Sequence, residues 1–288
     1  MTDCMIIGSG VAGISAALTL QANGKSFLIF GSDGLSEKIA KAEKIHNYPG
    51  LCDVSGEEFV TALKTQLKAA KIEIKTEKVA GVYALKEKFS LLTQEGNAYD
   101  SKTVILACGV ESVRQIEGEA EYVGRGVSYC ATCDGFLYKG KTIAVFCTTK
   151  TLEHEIGYLA DIAEKVYLIP MYKNVEIERD NITKIMKMPT KISGSMRVER
   201  ISFAAAPTEN LPADLPIDGV FMLRECVSPA ILVGGLQTEN GHVVVGRDMS
   251  TNLSGCFAAG DCTGRPYQYA KAVGEGNIAA HSVSEYLK

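Results

Sequence analysis

The sequence predicts an α/β protein of two Rossmann-like (βαβ) domains, with the smaller domain inserted in the larger one. Apolar strand patterns alternate with helical patterns, which favours a doubly wound fold with parallel sheets. A strand–helix–strand unit at the start of the chain recurs from residue 142, and residues 253–288 return to the first unit. The predicted larger domain is 1–113 with 245–288, the smaller one is 114–244, and the linkers lie near 110–117 and 240–248.

Local patterns predict the elements of the larger domain. Asp3–Ile7 is an apolar strand ending at a glycine, and helical periodicity follows from Val11 to Asn23. Ser55 is a suitable N-cap for an amphipathic helix. The other predicted elements are strand Ser26–Phe30, helix 55–71, a hairpin or meander at Val79–Lys86 and Phe89–Gln94, strand Lys102–Ala107, a strand over 255–259 and a helix from Tyr267 to Leu287.

The smaller domain repeats this order more briefly. Thr142–Cys147 and Lys165–Ile169 are apolar runs of strand length. Thr151–Ala163 lies between them with helical periodicity. This βαβ unit predicts a second parallel sheet.

Composition and charge exclude several classes of function. The net charge is −4, which argues against binding a nucleic-acid backbone. The apolar run Cys4–Leu20 has no basic leader and is too short to cross a bilayer, so we expect a cytoplasmic protein without membrane contact. The nine cysteines are scattered except for one Cys-x-x-Cys pair, unlike a secreted disulfide framework. We expect Cys4, Cys108, Cys147, Cys226 and Cys256 to be buried hydrophobic residues, and Cys52 and Cys262 to be inert.

A glycine-rich motif follows the first strand and opens the first helix. It reads Gly8-Ser9-Gly10-Val11-Ala12-Gly13, the fingerprint of a dinucleotide site. The first two glycines allow a tight turn and the close approach of a pyrophosphate to the helix N-terminus. The third allows close packing of the helix on the strand, which Ala16 and Ala17 keep tight. The motif alone does not separate NAD from FAD, and a glycine-rich turn without a ligand is the alternative.

An aspartate near the far end of the chain favours FAD. Asp261 follows a predicted strand and precedes a helix, where its carboxylate can bind a ribityl chain. The N-terminus of that helix can face the pyrimidine edge of a flavin. By itself, an aspartate after glycine is an ordinary turn residue.

The Cys-x-x-Cys pair predicts dithiol–disulfide chemistry. Cys130 and Cys133 have the spacing of a one-turn disulfide, and a cysteine at a helix N-terminus is a good nucleophile. Asp134 follows directly and can hold or deliver a proton. A zinc half-site and a purely structural pair are the alternatives, but no second Cys-x-x-Cys or His pair completes a zinc site.

These motifs together resemble the low-molecular-weight thioredoxin reductases along nearly the whole chain. The resemblance rests on the Gly8 fingerprint, Asn47-Tyr48-Pro49-Gly50, the block Gly-Arg125-Gly-Val-Ser-Tyr-Cys-Ala-Thr-Cys-Asp-Gly-Phe-Leu-Tyr, and Gly260-Asp261 with Gln268 and Gly274-Glu275-Gly276. It implies a homodimer with FAD in the larger domain, Cys133 against the flavin, Cys130 attacking the disulfide of thioredoxin, and Asp134 as acid–base. It also implies a large domain rotation. The implied FAD contacts are Gly8, Ser9, Gly10, Ala12, Gly13, Asn47, Asp261 and Gln268.

The smaller domain departs from this family at the nicotinamide site. Where the family has Gly-x-Gly-x-x-Ala, the chain has Cys147-Thr148-Thr149-Lys150-Thr151-Leu152, whose side chains would obstruct a pyrophosphate. Where the family has a His-Arg-Arg cluster for a 2′-phosphate, it has Pro170-Met171-Tyr172. We therefore expect a reductant other than NADPH, although Lys150 or Lys173 could still meet a phosphate.

With this departure, the chain is most similar to the ferredoxin-dependent flavin thioredoxin reductases, to which Gly264-Arg265-Pro266-Tyr267-Gln268 is also similar. The resemblance implies electron flow from ferredoxin through FAD and Cys130–Cys133 to thioredoxin. The alternatives are an NADPH-dependent thioredoxin reductase with an atypical site, a non-catalytic flavoprotein redox sensor, and a second flavin in the vacated site. An acidic ferredoxin would need a basic face; the candidate clusters are Lys38, Lys41 and Lys44 on one helical face, and Lys184, Lys187, Lys191, Arg197 and Arg200.

Overall fold

The chain forms two compact units in the computed structural model, which describes residues 1–40, 42–110, 116–204, 213–224 and 228–288. The larger unit is Met1–Val110 with Ser228–Lys288, and the smaller unit is Glu111–Val227. The insertion of one unit in the other is as predicted. The second boundary differs from the predicted one at residue 244, because Val233 pairs with Val82 of the larger unit's sheet.

The elements are given in chain order. The first segment holds β1 (Thr2–Ile7), α1 (Val11–Ala22), β2 (Phe27–Phe30), α2 (Glu37–Ala40), α3 (Gly56–Ala69), β3 (Ile74–Lys75), β4 (Val79–Ala84), β5 (Phe89–Thr93) and β6 (Ala98–Leu106). The smaller unit holds β7 (Val127–Ser128), α4 (Ala131–Asp134), β8 (Thr142–Cys147), α5 (Glu153–Ile162), β9 (Lys165–Pro170), β10 (Ile182–Lys184), β11 (Pro189–Gly194), β12 (Val198–Phe203), β13 (Asp214–Pro216) and β14 (Gly219–Leu223). The last segment holds α6 (Pro229–Leu232), β15 (Thr238–Glu239), β16 (His242–Val243), β17 (Cys256–Ala258) and α7 (Tyr269–Tyr286).

The larger unit is built on one mixed sheet with the strand order β3-β2-β1-β6-β5-β4, and β17 also pairs with β6. The strands β3, β2, β1, β6 and β17 pair in parallel. The predicted meander is the antiparallel part, β4-β5-β6. Helix α1 packs closely on α7, where the Ser15 hydroxyl donates a hydrogen bond to the Val273 carbonyl at 2.7 Å.

The smaller unit has a parallel sheet in the order β10-β9-β8-β14-β7 and a separate antiparallel sheet, β11-β12-β13. The first strand of the βαβ unit is internal in both units: the strand that follows α1 or α5 lies on one side of it, and a strand from later in the chain, β6 or β14, lies on the other. The two-module interpretation is therefore confirmed. Parallel sheets of this kind bind ligands at the carboxyl ends of the strands, where the strand order reverses.

Two local predictions differ from the structure. The predicted linker at 240–248 begins with a β-hairpin, β15–β16, because Asn240 and Gly241 have φ values of 51° and 79° and form its turn. Helix α2 ends at Ala40, so Lys44 does not continue a helical face with Lys38. Lys41 and the side chain of Lys38 lie outside the described residues.

Helix α3 is as predicted. Ser55 caps it, accepting a hydrogen bond from the Glu58 backbone N–H at 3.2 Å, while the Glu58 carboxylate accepts one from the Ser55 backbone N–H at 2.7 Å. No helix in the described part of the chain has the length and apolar character that crossing a membrane requires.

Candidate active site

The glycine-rich turn between β1 and α1 is held too tightly for larger residues. Gly8 has a φ of 120°, and a Cβ atom there would lie 2.2 Å from the Ala107 carbonyl oxygen. A Cβ atom at Gly13 would lie 1.9 Å from the Gly8 carbonyl oxygen. The first and third glycines of the motif are therefore required by backbone packing, as the fingerprint predicts.

The N-terminus of α1 is suited to an anion. Gly10 is its N-cap without a side-chain hydrogen bond, and the first turn contains no acidic residue. A Cβ atom at Gly10 would meet nothing within 4 Å, so open space lies beside the helix end. The partial positive charge of the N-terminal N–H groups would face that space. The pyrophosphate of FAD fits this arrangement.

Ser9 has a local structural role. Its buried hydroxyl donates a hydrogen bond to the Leu35 carbonyl at 2.9 Å and accepts one from the Ser32 backbone N–H at 2.9 Å. The side chain thus holds the turn after β2. The predicted cofactor contact of Ser9 stays a prediction, and its hydroxyl already bonds to Leu35 and Ser32.

The loop after β17 lies at the same edge of the sheet as the glycine turn. Strands β1, β6 and β17 are parallel neighbours, so their carboxyl ends lie together. Gly260 has a φ of 89°, and a Cβ atom there would lie 2.9 Å from Ala12 Cβ. The structure therefore brings Gly8, Ala12 and Asp261 to one crevice, where Asp261 is partly exposed.

Two further predicted flavin contacts meet at the start of α7. Gln268 is the N-cap of α7, and its Oε1 accepts a hydrogen bond from Asn47 Nδ2 at 2.6 Å. Both side chains are exposed. The family resemblance assigns both residues to the same cofactor. This hydrogen bond brings them together, although they are far apart in sequence.

An ion pair in α7 braces the Asp261 loop, and sequence reasoning missed it. The ammonium group of Lys271 lies 3.1 Å from the Glu275 carboxylate. Both side chains are mostly buried and bond to the backbone of residues 260–264. The family resemblance includes Glu275, in Gly274-Glu275-Gly276, but gives it no partner. The sequence signal for the pair was the i,i+4 spacing, which also occurs on solvent-exposed helices.

Cys130 and Cys133 form a disulfide in the smaller unit. Cys130 is the N-cap of α4, and its sulfur accepts a hydrogen bond from the Cys133 backbone N–H at 3.1 Å. Cys130 is 7% exposed, whereas Cys133 is exposed. In this oxidised state the second cysteine is thus more accessible, although the resemblance assigns partner attack to the first. Within the described residues, no group of three or more His, Cys, Asp or Glu side chains could hold a metal ion.

Asp134 is connected to the redox pair through Ser128, which sequence reasoning also missed. The Ser128 hydroxyl donates a hydrogen bond to Asp134 Oδ2 at 2.6 Å. The Ser128 hydroxyl oxygen accepts a hydrogen bond from the Cys130 backbone N–H at 3.1 Å. This arrangement fixes the Asp134 carboxylate beside the disulfide segment, where it can act in proton transfer.

A buried ion pair lies behind the redox segment. Glu119 is 0% exposed and accepts hydrogen bonds from the Tyr129 hydroxyl at 2.5 Å and from Arg224 Nη2 at 2.8 Å. The Ile116 backbone N–H also donates to Glu119, at 2.9 Å. Tyr129 directly precedes Cys130, so the ion pair anchors the redox segment to the end of β14.

The second crevice, at the end of β8, contains its own charged side chains. Glu153 and Glu155 lie in the first turn of α5, and Glu153 Oε1 accepts hydrogen bonds from the Tyr172 hydroxyl at 2.9 Å and the Glu176 backbone N–H at 3.1 Å. Lys150 forms an ion pair with Glu176. Burial and the Glu153 carboxylate both raise the pKa of Tyr172. Carboxylates thus lie where a nucleotide pyrophosphate would need positive charge.

The remaining cysteines are mostly buried thiols. Burial raises the pKa of Cys4, Cys256 and Cys262 to about 12, which makes these thiols inert as predicted. Cys147 is buried, Cys108 is half-buried and Cys52 is exposed. Cys226 lies outside the described residues.

The second basic cluster is on the surface of the smaller unit. Lys184, Lys191, Arg197 and Arg200 are exposed, and Lys187 is partly exposed. Lys191 forms an ion pair with Glu117 at 2.8 Å, so its charge is partly compensated.

Comparisons with known proteins agree with this site. A family model described as pyridine nucleotide-disulphide oxidoreductase matches residues 2–153. A thioredoxin reductase from Helicobacter pylori is 33% identical over 100% of this chain and 99% of its own length.

Solved structures extend the similarity. A ferredoxin-flavin thioredoxin reductase from Clostridium acetobutylicum is 44% identical, with a TM-score of 0.89 over 99% of this chain and 97% of its own. A thioredoxin reductase from Gloeobacter violaceus is 26% identical, with a TM-score of 0.79 over 99% and 94%. The chain therefore belongs to the pyridine nucleotide-disulphide oxidoreductase family, as an FAD-binding disulfide oxidoreductase of the thioredoxin reductase type.

Proposed function

We propose that this enzyme takes electrons from reduced ferredoxin, rather than from NADPH, and passes them to thioredoxin. The proposal rests on the second crevice, at the end of β8, where the carboxylates of Glu153 and Glu155 and the Lys150–Glu176 ion pair lie near the start of α5. FAD would supply the step between one-electron and two-electron chemistry. The residues of this chain hold that cofactor, carry the disulfide and exclude the nucleotide.

Binding of NADPH would be opposed in two ways. Glu153 would face the pyrophosphate with like charge, and removing it would break its hydrogen bonds to Tyr172 and to the Glu176 backbone. At the end of β9, Pro170 and the half-exposed Met171 offer no cation for a 2′-phosphate. Of the two lysines that could meet a phosphate, Lys150 is already paired with Glu176, and Lys173 is exposed.

The similarity to a ferredoxin-flavin thioredoxin reductase supports ferredoxin as the donor. Its 44% identity is higher than the 33% of the Helicobacter pylori relative, whose name states thioredoxin reductase without a donor. A ferredoxin is a small acidic protein, and a basic surface would increase the rate of encounter. The exposed cluster at Lys184, Arg197 and Arg200 is one such surface.

Thioredoxin as the acceptor is supported by the surface next to the disulfide. Phe136 is 71% exposed and Leu137 is 64% exposed, in the turn that follows Cys133 and Asp134. Large apolar side chains in such positions mark surfaces that a partner covers. A protein disulfide docked there would be within one turn of the redox pair.

In the proposed reaction, thiol–disulfide exchange passes two electrons from the Cys130–Cys133 dithiol to the disulfide of thioredoxin. Two electrons and two protons convert Cys130–Cys133 into a dithiol. The thiolate of Cys130 then attacks one sulfur of the partner disulfide, and the thiolate of Cys133 resolves the mixed disulfide. Asp134, held by Ser128, supplies or accepts the proton. Cys130 is buried while oxidised, so opening of the disulfide must make this sulfur accessible.

Two properties of the proposal rest on the family resemblance. We propose a homodimer, which sedimentation velocity would test through the mass of the purified protein. We also propose a reducing, cytoplasmic environment, because an exposed Cys52 and a redox-active pair suit such a compartment. A monomer under all conditions would contradict the first property.

The test is anaerobic turnover with thioredoxin, using either reduced ferredoxin or NADPH as the donor. We expect turnover with ferredoxin and none above background with NADPH; the reverse would refute the donor assignment. Cys130→Ser and Cys133→Ser form the matched pair for the roles of the sulfurs. The partner is a thioredoxin that lacks its resolving cysteine and whose remaining cysteine is activated as a mixed disulfide with thionitrobenzoate. Cys133→Ser should displace the thionitrobenzoate anion and form a stable mixed disulfide with thioredoxin, and Cys130→Ser should not; trapping by Cys130→Ser alone would reverse the assigned roles.

A further inference from the structure

The loop between β17 and α7 has the backbone hydrogen bonds of one turn, in which the N–H groups of Thr263 and Gly264 donate to the carbonyls of Gly260 and Asp261, both at 3.1 Å. It leaves the sheet at Gly260, forms a single 3-10 turn at Asp261–Thr263, and ends at Gly264. Gly260 and Gly264 have φ values of 89° and 120°. Such a short turn between two left-handed glycines needs contacts from outside to hold one conformation.

Lys271 supplies the hydrogen-bond donors for this loop. Its ammonium group donates to the Gly260 carbonyl at 2.8 Å, the Gly264 carbonyl at 2.7 Å and the Thr263 hydroxyl at 2.8 Å. One side chain thus connects both ends and the middle of the loop. An ammonium group has three donors, and these contacts use all of them.

Glu275 supplies the acceptors. Its Oε2 accepts hydrogen bonds from the Gly260 backbone N–H at 2.8 Å and from the Thr263 hydroxyl at 2.8 Å. It also pairs with Lys271 at 3.1 Å, one helical turn away, with both side chains less than one-fifth exposed. Charge-assisted bonds of this kind, shielded from water, are stronger than bonds between neutral groups.

The pair fixes the loop to the first two turns of α7. Asp261 is on the loop, and α7 begins further along the chain, at Tyr269. Both are elements that would hold the flavin ring and ribityl chain, and their relative position depends on Lys271 and Glu275. The fit of FAD to this crevice rests on the glycine turn and the open N-terminus of α1, which are independent observations.

We propose that Lys271 and Glu275 are positioning residues for the flavin: their ion pair holds the Asp261 loop against α7 and so determines how tightly FAD binds and how easily it is reduced. The two residues lie on α7, carry opposite charges and contact the same loop. Loss of the cation would disfavour the added negative charge of a reduced flavin, and loss of the anion would favour it.

The first measurement is the affinity of the full-length apoprotein for FAD, followed by the quenching of flavin fluorescence. We expect Lys271→Met and Glu275→Gln each to weaken FAD binding by about tenfold or more, because each removes several charge-assisted bonds that order the loop. Lys88→Met is the matched control, since Lys88 pairs with Asp100 at 2.6 Å in the same unit but on the exposed meander. Its affinity should equal that of the unchanged protein.

The second measurement is the midpoint potential of the flavin that each variant binds. A positioning pair with charges near the flavin predicts a lower potential in Lys271→Met and a higher one in Glu275→Gln. Shifts of the same sign in both variants would show general loosening and overturn the proposal. FAD affinity within about twofold of the unchanged protein in both variants would also overturn it, as would an equal loss in Lys88→Met. If Lys271→Met does not fold, Glu275→Gln and Thr263→Val carry the same test through affinity and potential.

Discussion

Replacement of Arg224 by methionine would leave a negative charge without its cation inside the smaller unit. Glu119 and Arg224 are 0% and 1% exposed, and their ion pair has a contact of 2.8 Å. The guanidinium also lies 5.2 Å from the centre of the Phe146 ring. Methionine fills much of the same volume but cannot compensate the carboxylate.

The expected cost follows from the geometry. Breaking a fully buried ion pair by removing one partner costs about 3–5 kcal/mol, because the remaining charge stays desolvated. Glu119 would retain its hydrogen bonds from Tyr129 and from the Ile116 backbone N–H, so we place Arg224→Met at the lower end, about 3 kcal/mol. The double variant, Glu119→Gln with Arg224→Met, no longer buries the carboxylate charge. One buried N–H group loses its carboxylate acceptor, which costs about 1–3 kcal/mol.

The assay is hydrogen exchange with mass spectrometry on peptides from β8 and β14, because the protein has two units and a single unfolding transition is not assured. The control is Lys191→Met, which removes the exposed ion pair with Glu117 and should leave exchange unchanged. A cost below about 1 kcal/mol for Arg224→Met, or a double variant as unstable as the sum of its single variants, would refute the reasoning.

Three further predictions follow from single sites. Gly8→Ala should destabilise the larger unit by about 2 kcal/mol or more, since its Cβ would lie 2.2 Å from a carbonyl oxygen. Gly10→Ala should change the stability by no more than about 1 kcal/mol but weaken FAD binding. Thermal unfolding measures the loss of stability, and FAD titration measures the loss of binding. Phe136→Ala with Leu137→Ala should lower kcat/KM for thioredoxin about tenfold while flavin reduction by ferredoxin stays unchanged; an unchanged kcat/KM would remove the docking role. The pKa of Asp3 is lowered from 3.8 to about 2, first by its hydrogen bond from Lys102. Its contribution to stability is therefore present above pH 3.8 and lost as the pH falls towards 2, so Asp3→Asn should flatten acid unfolding in that window, and an unaltered acid profile would contradict this.

The sequence was sufficient where a short motif determines its own geometry. The glycine turn before α1 and the N-cap at Ser55 need only neighbouring residues, and both were predicted correctly. The Cys130–Cys133 disulfide closes within one turn of chain for the same reason. Such features follow from local backbone chemistry.

Contacts between distant segments could not be predicted in this way. Glu119 and Arg224 meet across the smaller unit, and neither residue has a neighbour in the sequence that signals an ion pair. Ser128 connects to Asp134 through the fold of the redox segment. Lys271 and Glu275 have the i,i+4 spacing of an ordinary surface pair, and their contacts with the 260–264 loop depend on the fold that packs this loop against them. The hairpin at Asn240–Gly241 was predictable from its turn residues, but its glycine was interpreted as a linker.

The central claim is that the flavin of this enzyme is reduced by ferredoxin and not by NADPH. The most direct measurement is the anaerobic absorption spectrum of the flavin after addition of NADPH, and separately after addition of photoreduced ferredoxin. The account predicts bleaching by ferredoxin alone, because Glu153, Glu176 and Lys150 occupy the second crevice. Rapid bleaching by NADPH would show that the crevice still admits a nucleotide and would contradict the account.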